Sequence, residues 1–222
     1  MSASIRKILA GIVLCLELVG CAGPLTQFNF QADELQRVPD FTGQNLKTQK
    51  FAIVASTHDD NFKRVLADSF SKALKQTRPD ISQIPPQEVL SILNRGGLAD
   101  EYTGMLRDYG TSSILRKTGL NPIGKALGVS YLIHLSLLQY SQDTSSRINF
   151  MGLRLIQTRS STLRVYAEIW DTATGEIVWG GSSTVTLAED RVRDKPIPVE
   201  EVAARAWTEL IKQLPAVDPH KP

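Results

Sequence analysis

The stretch that decides the fold is "FAIVAS", residues 51–56, a continuous apolar run with polar residues on either side. Such a run predicts a strand buried on both faces, because a strand with one wet face would alternate apolar and polar residues. A strand of this kind lies inside a sheet that helices cover on both sides. The sequence therefore predicts an α/β domain in which residues 51–56 form a central strand.

An amphipathic helix follows this strand directly. Apolar residues recur with helical spacing over residues 62–74, and Asp59 or Asp60 is available to cap the first turn. A short strand at residues 81–84 then leads to a second helix over residues 86–97. That helix starts with a proline and stops at a pair of glycines, the residue types that suit the two ends of a helix.

The middle of the chain predicts a short helix and a long strand. Residues 98–118 carry weaker helical signals. Asn121 and Pro122 have the residue types of an N-cap and a first helical position, and Gly128 is suited to end that helix. A long strand is predicted over residues 129–140, and it is apolar on both faces.

Residues 162–187 predict a β-hairpin. "TLRVYAEIW" alternates strictly, "DTATGE" supplies a turn with Gly175 suited to positive φ, and "IVWGGSSTVTL" returns as the partner strand. A polar stretch at residues 141–147 precedes the hairpin, and an amphipathic helix over residues 199–214 follows it. The predicted order is βαβααβββα, an α/β fold with a mixed β-sheet packed by helices.

The first 20 residues have the features of a processing signal. Arg6 and Lys7 precede an apolar run over residues 8–18, which is too short to span a bilayer. The sequence "LVGC" at the end of this run resembles the lipobox of bacterial lipoprotein precursors. The resemblance implies cleavage between Gly20 and Cys21 and attachment of acyl chains such as palmitate to Cys21.

This interpretation divides the chain into a lipoprotein signal peptide, a tether, a periplasmic α/β domain and a C-terminal tail, at residues 1–20, 21–46, 47–215 and 216–222. Ala22 stands where an Asp would act as a sorting signal, so the resemblance implies delivery to the outer membrane with the domain facing the periplasm. An ordinary secretory signal that leaves Cys21 as a free thiol is the alternative. Cys15 would leave with the signal peptide in either case.

Four segments carry a wider family resemblance: "FAIV", "LADSFSKAL", "IGKALGVSYLI" and "LRVYAEIWDTATGEIVW". They resemble the superfamily of envelope lipoprotein domains that includes the curli secretion lipoprotein CsgG, the Pel polysaccharide lipoprotein PelC, the peptidoglycan-synthase activator LpoB and the N-terminal domain of TolB. The resemblance covers residues 47–215 and implies a TolB-N/CsgG-like fold. Members of this group share a fold and differ in task, so the resemblance implies an envelope role without selecting one.

Composition and motifs give little support to catalysis or to cofactor binding. The net charge of the 222 residues is +2, so no nucleic acid partner is predicted. "GLNPIGKA" at residues 119–126 comes close to a phosphate-binding loop, but Ala126 replaces the required hydroxyl and the segment precedes a strand instead of following one. A capped helix is the favoured interpretation, and no cofactor or metal ion is predicted.

Histidine provides the remaining candidates for chemistry. "HDD" at residues 58–60 lies where the first strand ends and the first helix begins, a place where α/β proteins often bind ligands. The same acids also suit a helix N-terminus by capping and charge alone. His134 alternates within an apolar strand, which predicts a buried or half-buried core histidine.

Two groups of residues are candidates for contact with other molecules. The first is a possible stacking face for sugars or peptides, made by Tyr166, Trp170 and Trp179; packing under helices is the alternative. The second is the segment 144–161, in which arginines and apolar residues interleave without an acid, so that it suits a protein partner or a bilayer surface; an extra edge strand is the alternative. The candidate contact residues there are Arg147, Phe150, Met151, Arg154 and Arg159.

The sequence therefore predicts a non-enzymatic, lipid-anchored outer-membrane protein. Its periplasmic domain would bind or assemble with envelope components as an accessory factor of secretion, polysaccharide export or envelope assembly. The predicted partners are the membrane, through the acyl chains, and other envelope proteins or glycan, with a homo-oligomer as a further option. One alternative is a subunit of an oligomeric secretion channel or ring. A weaker alternative is an envelope hydrolase that uses His58, Asp59 and Asp60.

Overall fold

A computed structural model describes residues 26–57, 59–150, 153–191 and 196–217, and of residues 26, 146–150, 153–157, 190 and 191 it describes the backbone. In these segments the chain forms six strands and six helices in the order βαβαβαααβββα. The strands are β1 (Thr26–Arg37), β2 (Lys50–Ser56), β3 (Ser82–Ile84), β4 (Tyr131–Phe150), β5 (Leu153–Asp171) and β6 (Ile177–Arg191). The helices are α1 (Gly43–Thr48), α2 (Asp60–Thr77), α3 (Pro86–Arg95), α4 (Ala99–Ser112), α5 (Lys117–Leu127) and α6 (Val199–Ile211).

All six strands join one mixed sheet in the order β1-β6-β5-β4-β2-β3. Strand β2 runs parallel to β3 and β4, and the other pairs are antiparallel. Five of the seven residues of β2 are buried, as the apolar run predicts for a strand covered on both faces. The predicted α/β class, the mixed sheet and the helical packing are therefore confirmed.

Helices cover the sheet on both faces, although not to the same extent. On one face α2 and α6 pack over the odd-numbered residues of β2 and β5, with Phe70 and Trp207 in edge-to-face contact at 5.2 Å. On the other face α3, α4 and α5 pack over β2, β3 and the first part of β4. In the described chain, this second core reaches only the ends of β5 and β6 nearest the turn between them, at Glu168, Trp170 and Ile177, so most of these two strands and β1 lack helical cover on that face.

Helix α2 follows the sequence prediction closely. Asp59 caps it, accepting hydrogen bonds from the backbone N–H groups of Asn61 at 2.8 Å and Phe62 at 3.4 Å. Its buried side, which includes Leu66 and Phe70, has the helical period seen in the sequence. The boundaries of α3 and the hairpin of β5 and β6 are confirmed in the same way.

The predicted tether at residues 21–46 is wrong over most of its length. Strand β1 pairs antiparallel with β6 along nearly its whole length, and α1 buries Leu46 in the larger core. Strand β1 lies at the edge of the sheet, where most of its side chains are exposed, so its sequence has no clear period of 2. Residues 26–46 therefore belong to the described fold, and four residues lie between Cys21 and Thr26 in the sequence.

Two further boundaries differ from the sequence prediction. Helix α5 begins at Lys117, so Asn121 is not its N-cap and Pro122 lies inside the helix; burial of Leu120 against the smaller core extends the helix backwards. Strand β4 continues through the polar residues 141–147, which pair with β5. Cross-strand hydrogen bonds, not burial, keep this part of β4 extended, because its described side chains are mostly exposed.

Two of the four segments that carried the family resemblance, "IGKALGVSYLI" and "LRVYAEIWDTATGEIVW", meet at one end of the sheet. Gly128 ends α5 with φ of 65°, and Gly175 occupies the turn between β5 and β6 with φ of 77°. The Thr172 hydroxyl donates to the carbonyl oxygens of Val129 and Ser130, at 3.1 Å each. Gly124 approaches Thr172 so closely that a Cβ added to Gly124 would lie 2.5 Å from the Thr172 side chain.

We expect Gly124→Ala to lower the free energy of unfolding by about 1–3 kcal/mol, because the new methyl group has no room beside Thr172. Gly110→Ala is the matched control: Gly110 also lies in a helix, but nothing stands within 4 Å of its added Cβ. That substitution should raise the free energy of unfolding by about 0.5–1 kcal/mol through helix propensity alone. Urea unfolding measures the change in free energy of unfolding for both variants, which should have opposite signs. Equal changes would contradict the close approach of Gly124 to Thr172.

Candidate functional site

A buried cluster of polar side chains lies on the face of the sheet that α4 covers. His134 of β4 and Glu168 of β5 are directly paired across the strands, and their exposed fractions are 0% and 4%. Ser56 stands at the end of β2 beside them. A histidine and a carboxylate buried together in an apolar layer require specific partners, because an unpaired buried charge is strongly unfavourable.

Glu168 is the centre of this cluster. One of its carboxylate oxygens, Oε2, accepts hydrogen bonds from the Tyr109 hydroxyl and from the Trp170 indole N–H, both at 3.0 Å. Tyr109 belongs to α4, so the carboxylate joins that helix to the sheet. The Tyr109 ring also lies against the His134 ring, with centroids 3.9 Å apart. Three residues from three elements, Tyr109, Trp170 and His134, therefore surround one buried carboxylate.

His134 has one strong and one weak partner. Its Nε2 atom lies 2.8 Å from the Ser56 hydroxyl oxygen, a hydrogen-bond distance. Its Nδ1 atom lies 3.6 Å from Glu168 Oε2, and this buried nitrogen makes no hydrogen bond within the described chain. The order serine, histidine, glutamate is that of a hydrolytic triad, but the 3.6 Å gap and the complete burial of His134 keep it from exchanging protons with a bound substrate.

Burial sets the protonation of this cluster. Loss of solvent lowers the pKa of His134, and the neighbouring Glu168 opposes that shift only partly. Burial, together with the Glu168 charge, raises the pKa of Tyr109 to about 12. His134 is therefore neutral near pH 7 and acts as a core residue, which confirms the sequence interpretation.

A crevice opens at the carboxyl end of β2, between α2 and α3, and we call it the β2 crevice. Its volume is about 290 Å³. It lies where the chain leaves β2 toward one face of the sheet and leaves β3 toward the other, the position where open α/β sheets bind ligands. The lining residues are Ile53, Val54 and Ala55 of β2, Asp60, Lys63, Arg64, Ala67 and Asp68 of α2, Pro86, Gln87 and Leu90 of α3, and Tyr102 of α4.

The "HDD" motif indicated the position of the β2 crevice but not its composition. His58 lies outside the described residues, Asp59 is occupied as the cap of α2, and Asp60 lines the crevice. Lys63, Arg64 and Tyr102 were not predicted as site residues. Lys63 and Arg64 were readable as the polar side of an amphipathic helix, whereas nothing in the sequence placed Tyr102 beside them.

The predicted stacking face is wrong as one surface. Trp170 packs against α3, α4 and α5, whereas Trp179 pairs with Ile169 and packs under α2 and α6 on the opposite face. Their exposed fractions are 3% and 2%, and the Trp179 indole donates to Glu34 at 3.0 Å. Tyr166 is half-buried, and burial raises the pKa of its hydroxyl. Both tryptophans are therefore core residues.

The segment 144–161 forms the end of the β4–β5 hairpin, and we call it the tip. Phe150 and Arg154 lie in paired backbone, Arg147 lies at the register shift between Ser146 and Ile148, and Arg159 pairs with Thr144. Met151 lies outside the described residues, as do Gly20 and Cys21. Beyond Ser136, strand β4 has no partner strand on its outer side in the described chain, and Leu138 is 52% exposed there.

The candidate phosphate loop at residues 119–126 is helical, as predicted. Its residues lie in α5, where Gly119 and Gly124 serve close packing against Met105 and Thr172. Across the described segments, no group of histidine, cysteine and acidic side chains has the arrangement of a metal site. The helices described here also include none that is long and apolar enough to cross a bilayer.

No family model matches the chain, and no curated protein sequence matches it. Among solved structures, the chain is similar to the PelC dodecamer from Paraburkholderia phytofirmans, with 10% identity, a TM-score of 0.47 and coverage of 86% of this chain and 100% of that chain. It is also similar to lipoprotein GNA1162 from Neisseria meningitidis, with 12% identity, a TM-score of 0.42 and coverage of 66% and 87%. The LpoB C-terminal domain from Salmonella enterica has 15% identity, a TM-score of 0.35 and coverage of 68% and 87%.

We expect the buried histidine to make stability depend on pH. Because the pKa of His134 is lower in the folded state than the 6.5 of an exposed histidine, the unfolded chain binds the proton more readily. The free energy of unfolding should therefore fall as pH drops below 6.5, by at most about 1.4 kcal/mol per pH unit. Urea unfolding between pH 5 and pH 8 measures this slope.

His134→Asn supplies the reference for this experiment. Asparagine does not titrate, so the variant should be less stable overall but should lose this part of the slope. Subtracting its curve from that of the parent removes the contributions of His58 and His220, which titrate in both proteins. Parallel curves would contradict a lowered pKa at His134.

Proposed function

We propose that the chain is a lipid-anchored outer-membrane lipoprotein whose domain faces the periplasm and contacts other envelope components through its tip. The signal peptide is removed at Gly20, and Cys21 carries the acyl chains. The role is non-enzymatic, that of an accessory factor in secretion, polysaccharide export or envelope assembly. The support for anchoring comes from "LVGC" behind a basic and apolar leader.

The observation that carries this proposal is where β1 begins. Thr26 pairs with Glu189 of β6, Glu189 pairs with Arg159 of β5, and Arg159 pairs with Thr144 of β4. The chain therefore enters the sheet at the tip end. The five Cα–Cα steps from Cys21 to Thr26 span at most about 17 Å when fully extended, so an acylated Cys21 would hold this end of the sheet close to the bilayer.

The length of the hairpin adds to this argument. Strand β4 continues from Thr144 to Phe150, about 20 Å past the level at which the chain enters the sheet. The tip is therefore long enough to reach whatever lies at the membrane surface. Beyond β6 it is two-stranded, and a two-stranded hairpin is marginally stable in water without further packing. Its apolar and arginine-rich sequence suits a contact that supplies this packing.

A non-enzymatic role is supported by the polar cluster. Ser56 and His134 are within hydrogen-bond distance, but Tyr109 covers the imidazole, and Glu168 is already bonded to Tyr109 and Trp170. The hydrolase alternative built on His58, Asp59 and Asp60 has less support, because Asp59 is used as a helix cap.

The second candidate function, a subunit of an oligomeric channel or ring, is favoured by the free edge of β1. This strand pairs with β6 on one side only, and Phe30 and Leu35 on it are 54% and 59% exposed. An unpaired edge with exposed apolar side chains is suited to self-association. The two candidates differ in the surface used: the tip meets another envelope component in the first, and the β1 edge meets a second copy of the chain in the second.

Replacing the acylated residue tests the anchor. Cys21→Ala should abolish incorporation of labelled palmitate and move the protein from the membrane pellet to the aqueous fraction, because the remaining thiol, Cys15, lies in the leader and not at the acylation site. Cys15→Ala is the matched control, since Cys15 lies in the segment removed by cleavage. Membrane recovery of Cys21→Ala equal to that of the parent would overturn the lipoprotein assignment.

Photocrosslinking in intact cells tests the tip. We expect p-benzoylphenylalanine in place of Phe150 to give a discrete adduct with one envelope component, and the adduct should weaken when Arg147 and Arg154 are replaced by serine. The same probe at Glu176, in the turn at the opposite end of the sheet, is the control. An adduct of twice the monomer mass favours the oligomer, and equal labelling from both positions would contradict a contact at the tip.

A further inference from the structure

The β2 crevice has two walls of different character. One wall is a stripe along α2 with helical spacing, formed by Asp60, Lys63, Arg64, Ala67 and Asp68. The other wall, from α3 and α4, is uncharged and mostly apolar. It includes Leu90, which is 49% exposed, and Tyr102, which is 8% exposed. Charged side chains thus face apolar ones across a cavity of about 290 Å³.

The charges on the α2 wall are not paired with one another. Asp60 and Arg64, and Arg64 and Asp68, are four residues apart and could form ion pairs along the helix. Within the segments the structure describes, neither pair forms, and none of the four charged residues makes an ion pair elsewhere. The Lys63 ammonium lies 5.6 Å from the centre of the Tyr102 ring, a cation–π contact that draws it into the crevice.

This distribution restricts what could occupy the crevice. Two acidic and two basic side chains share the α2 wall, so an occupant with one charge would leave the opposite charges desolvated without a partner. Lys63 and Asp68 are already partly buried, so an occupant that covers either without a partner for its charge removes further water from it, which is unfavourable. An occupant without an apolar part would leave the wall of Leu90 and Tyr102 uncovered. The complementary molecule carries one charge of each sign and one apolar group.

We propose that the β2 crevice binds a small zwitterion with an apolar side group, that is, an α-amino acid or the end of a short peptide. Its carboxylate lies toward Lys63 and Arg64, its ammonium group toward Asp60 and Asp68, and its side group toward Leu90 and Tyr102. The volume of about 290 Å³ is at the lower end of the range for ligand pockets, which selects a ligand of this size. This site does not depend on the proposed lipid anchor or on the tip.

Leucine is the probe. Its analogues test separately the need for a carboxylate, an ammonium group and an apolar side group. We expect saturation-transfer NMR on the purified mature protein to detect leucine at millimolar concentration. Leucinamide lacks the carboxylate, 4-methylpentanoate lacks the ammonium group and glycine lacks the apolar side group. Each should bind about tenfold more weakly than leucine, the effect of losing one charged hydrogen bond or one buried apolar group.

Substitutions on the α2 wall test whether leucine binds in the β2 crevice. Lys63→Gln and Asp68→Asn should each weaken leucine binding about tenfold. Asp68→Asn should leave the urea midpoint unchanged, because Asp68 makes no ion pair in the described fold, whereas Lys63→Gln should lower it slightly through loss of the cation–π contact with Tyr102. Lys75→Gln, an exposed change on the same helix outside the crevice, should leave binding as it is. Absence of leucine binding overturns the proposal, as does binding that both crevice variants retain. Equal binding of 4-methylpentanoate and leucine would show an anion site and would overturn the zwitterion assignment.

Discussion

Strand β2 sets the architecture because both of its faces and both of its backbone edges lie inside the protein. A buried backbone must find its hydrogen bonds in neighbouring strands, and both neighbours of β2 run parallel to it. Parallel neighbours require crossover connections, which carry α2 to one face of the sheet and α3, α4 and α5 to the other. The β2 crevice opens where these connections diverge, so the same constraint determines the helical layers and the place where a ligand fits.

The buried carboxylate of Glu168 links this architecture to the crevice. Tyr109 donates to Glu168 from α4, and Tyr102 lies seven residues earlier on the same helix, two turns away. Fixing Tyr109 against the sheet therefore also fixes the apolar wall that Tyr102 contributes to the crevice. A leucine in place of Glu168 would pack in an apolar layer, but it would leave the Tyr109 hydroxyl and the Trp170 N–H without this acceptor. The polar cluster thus has a positioning role even without catalysis.

The sequence predicted those elements whose pattern is local and failed for those that depend on distant pairing. The period of α2, the caps at Asp59 and Gly128, and the turn at Gly175 each follow from a few adjacent residues. Strand β1 is extended because β6 lies beside it, and no short window of its mixed sequence reveals that partner. The faces of Trp170 and Trp179 depend on the register after the turn, where a shift of one residue reverses a side chain. The crevice is formed by side chains of β2 and of three helices. The "HDD" motif could therefore indicate its position but not its other lining residues.

The short link before β1 changes what an anchored domain can do. A tether of residues 21–46 would let the domain reach about 90 Å from the bilayer, whereas the link from Cys21 to Thr26 allows about 17 Å. Under the proposed anchor at Cys21, this link keeps the domain near the bilayer and restricts its orientation, because the chain enters at one end of the sheet. The tip extends past that point of entry, and the turn at Gly175 lies at the far end. Under that proposal, a partner held at the membrane meets the tip first, and the β2 crevice opens toward the same end of the sheet, between α2 and α3 at the carboxyl end of β2.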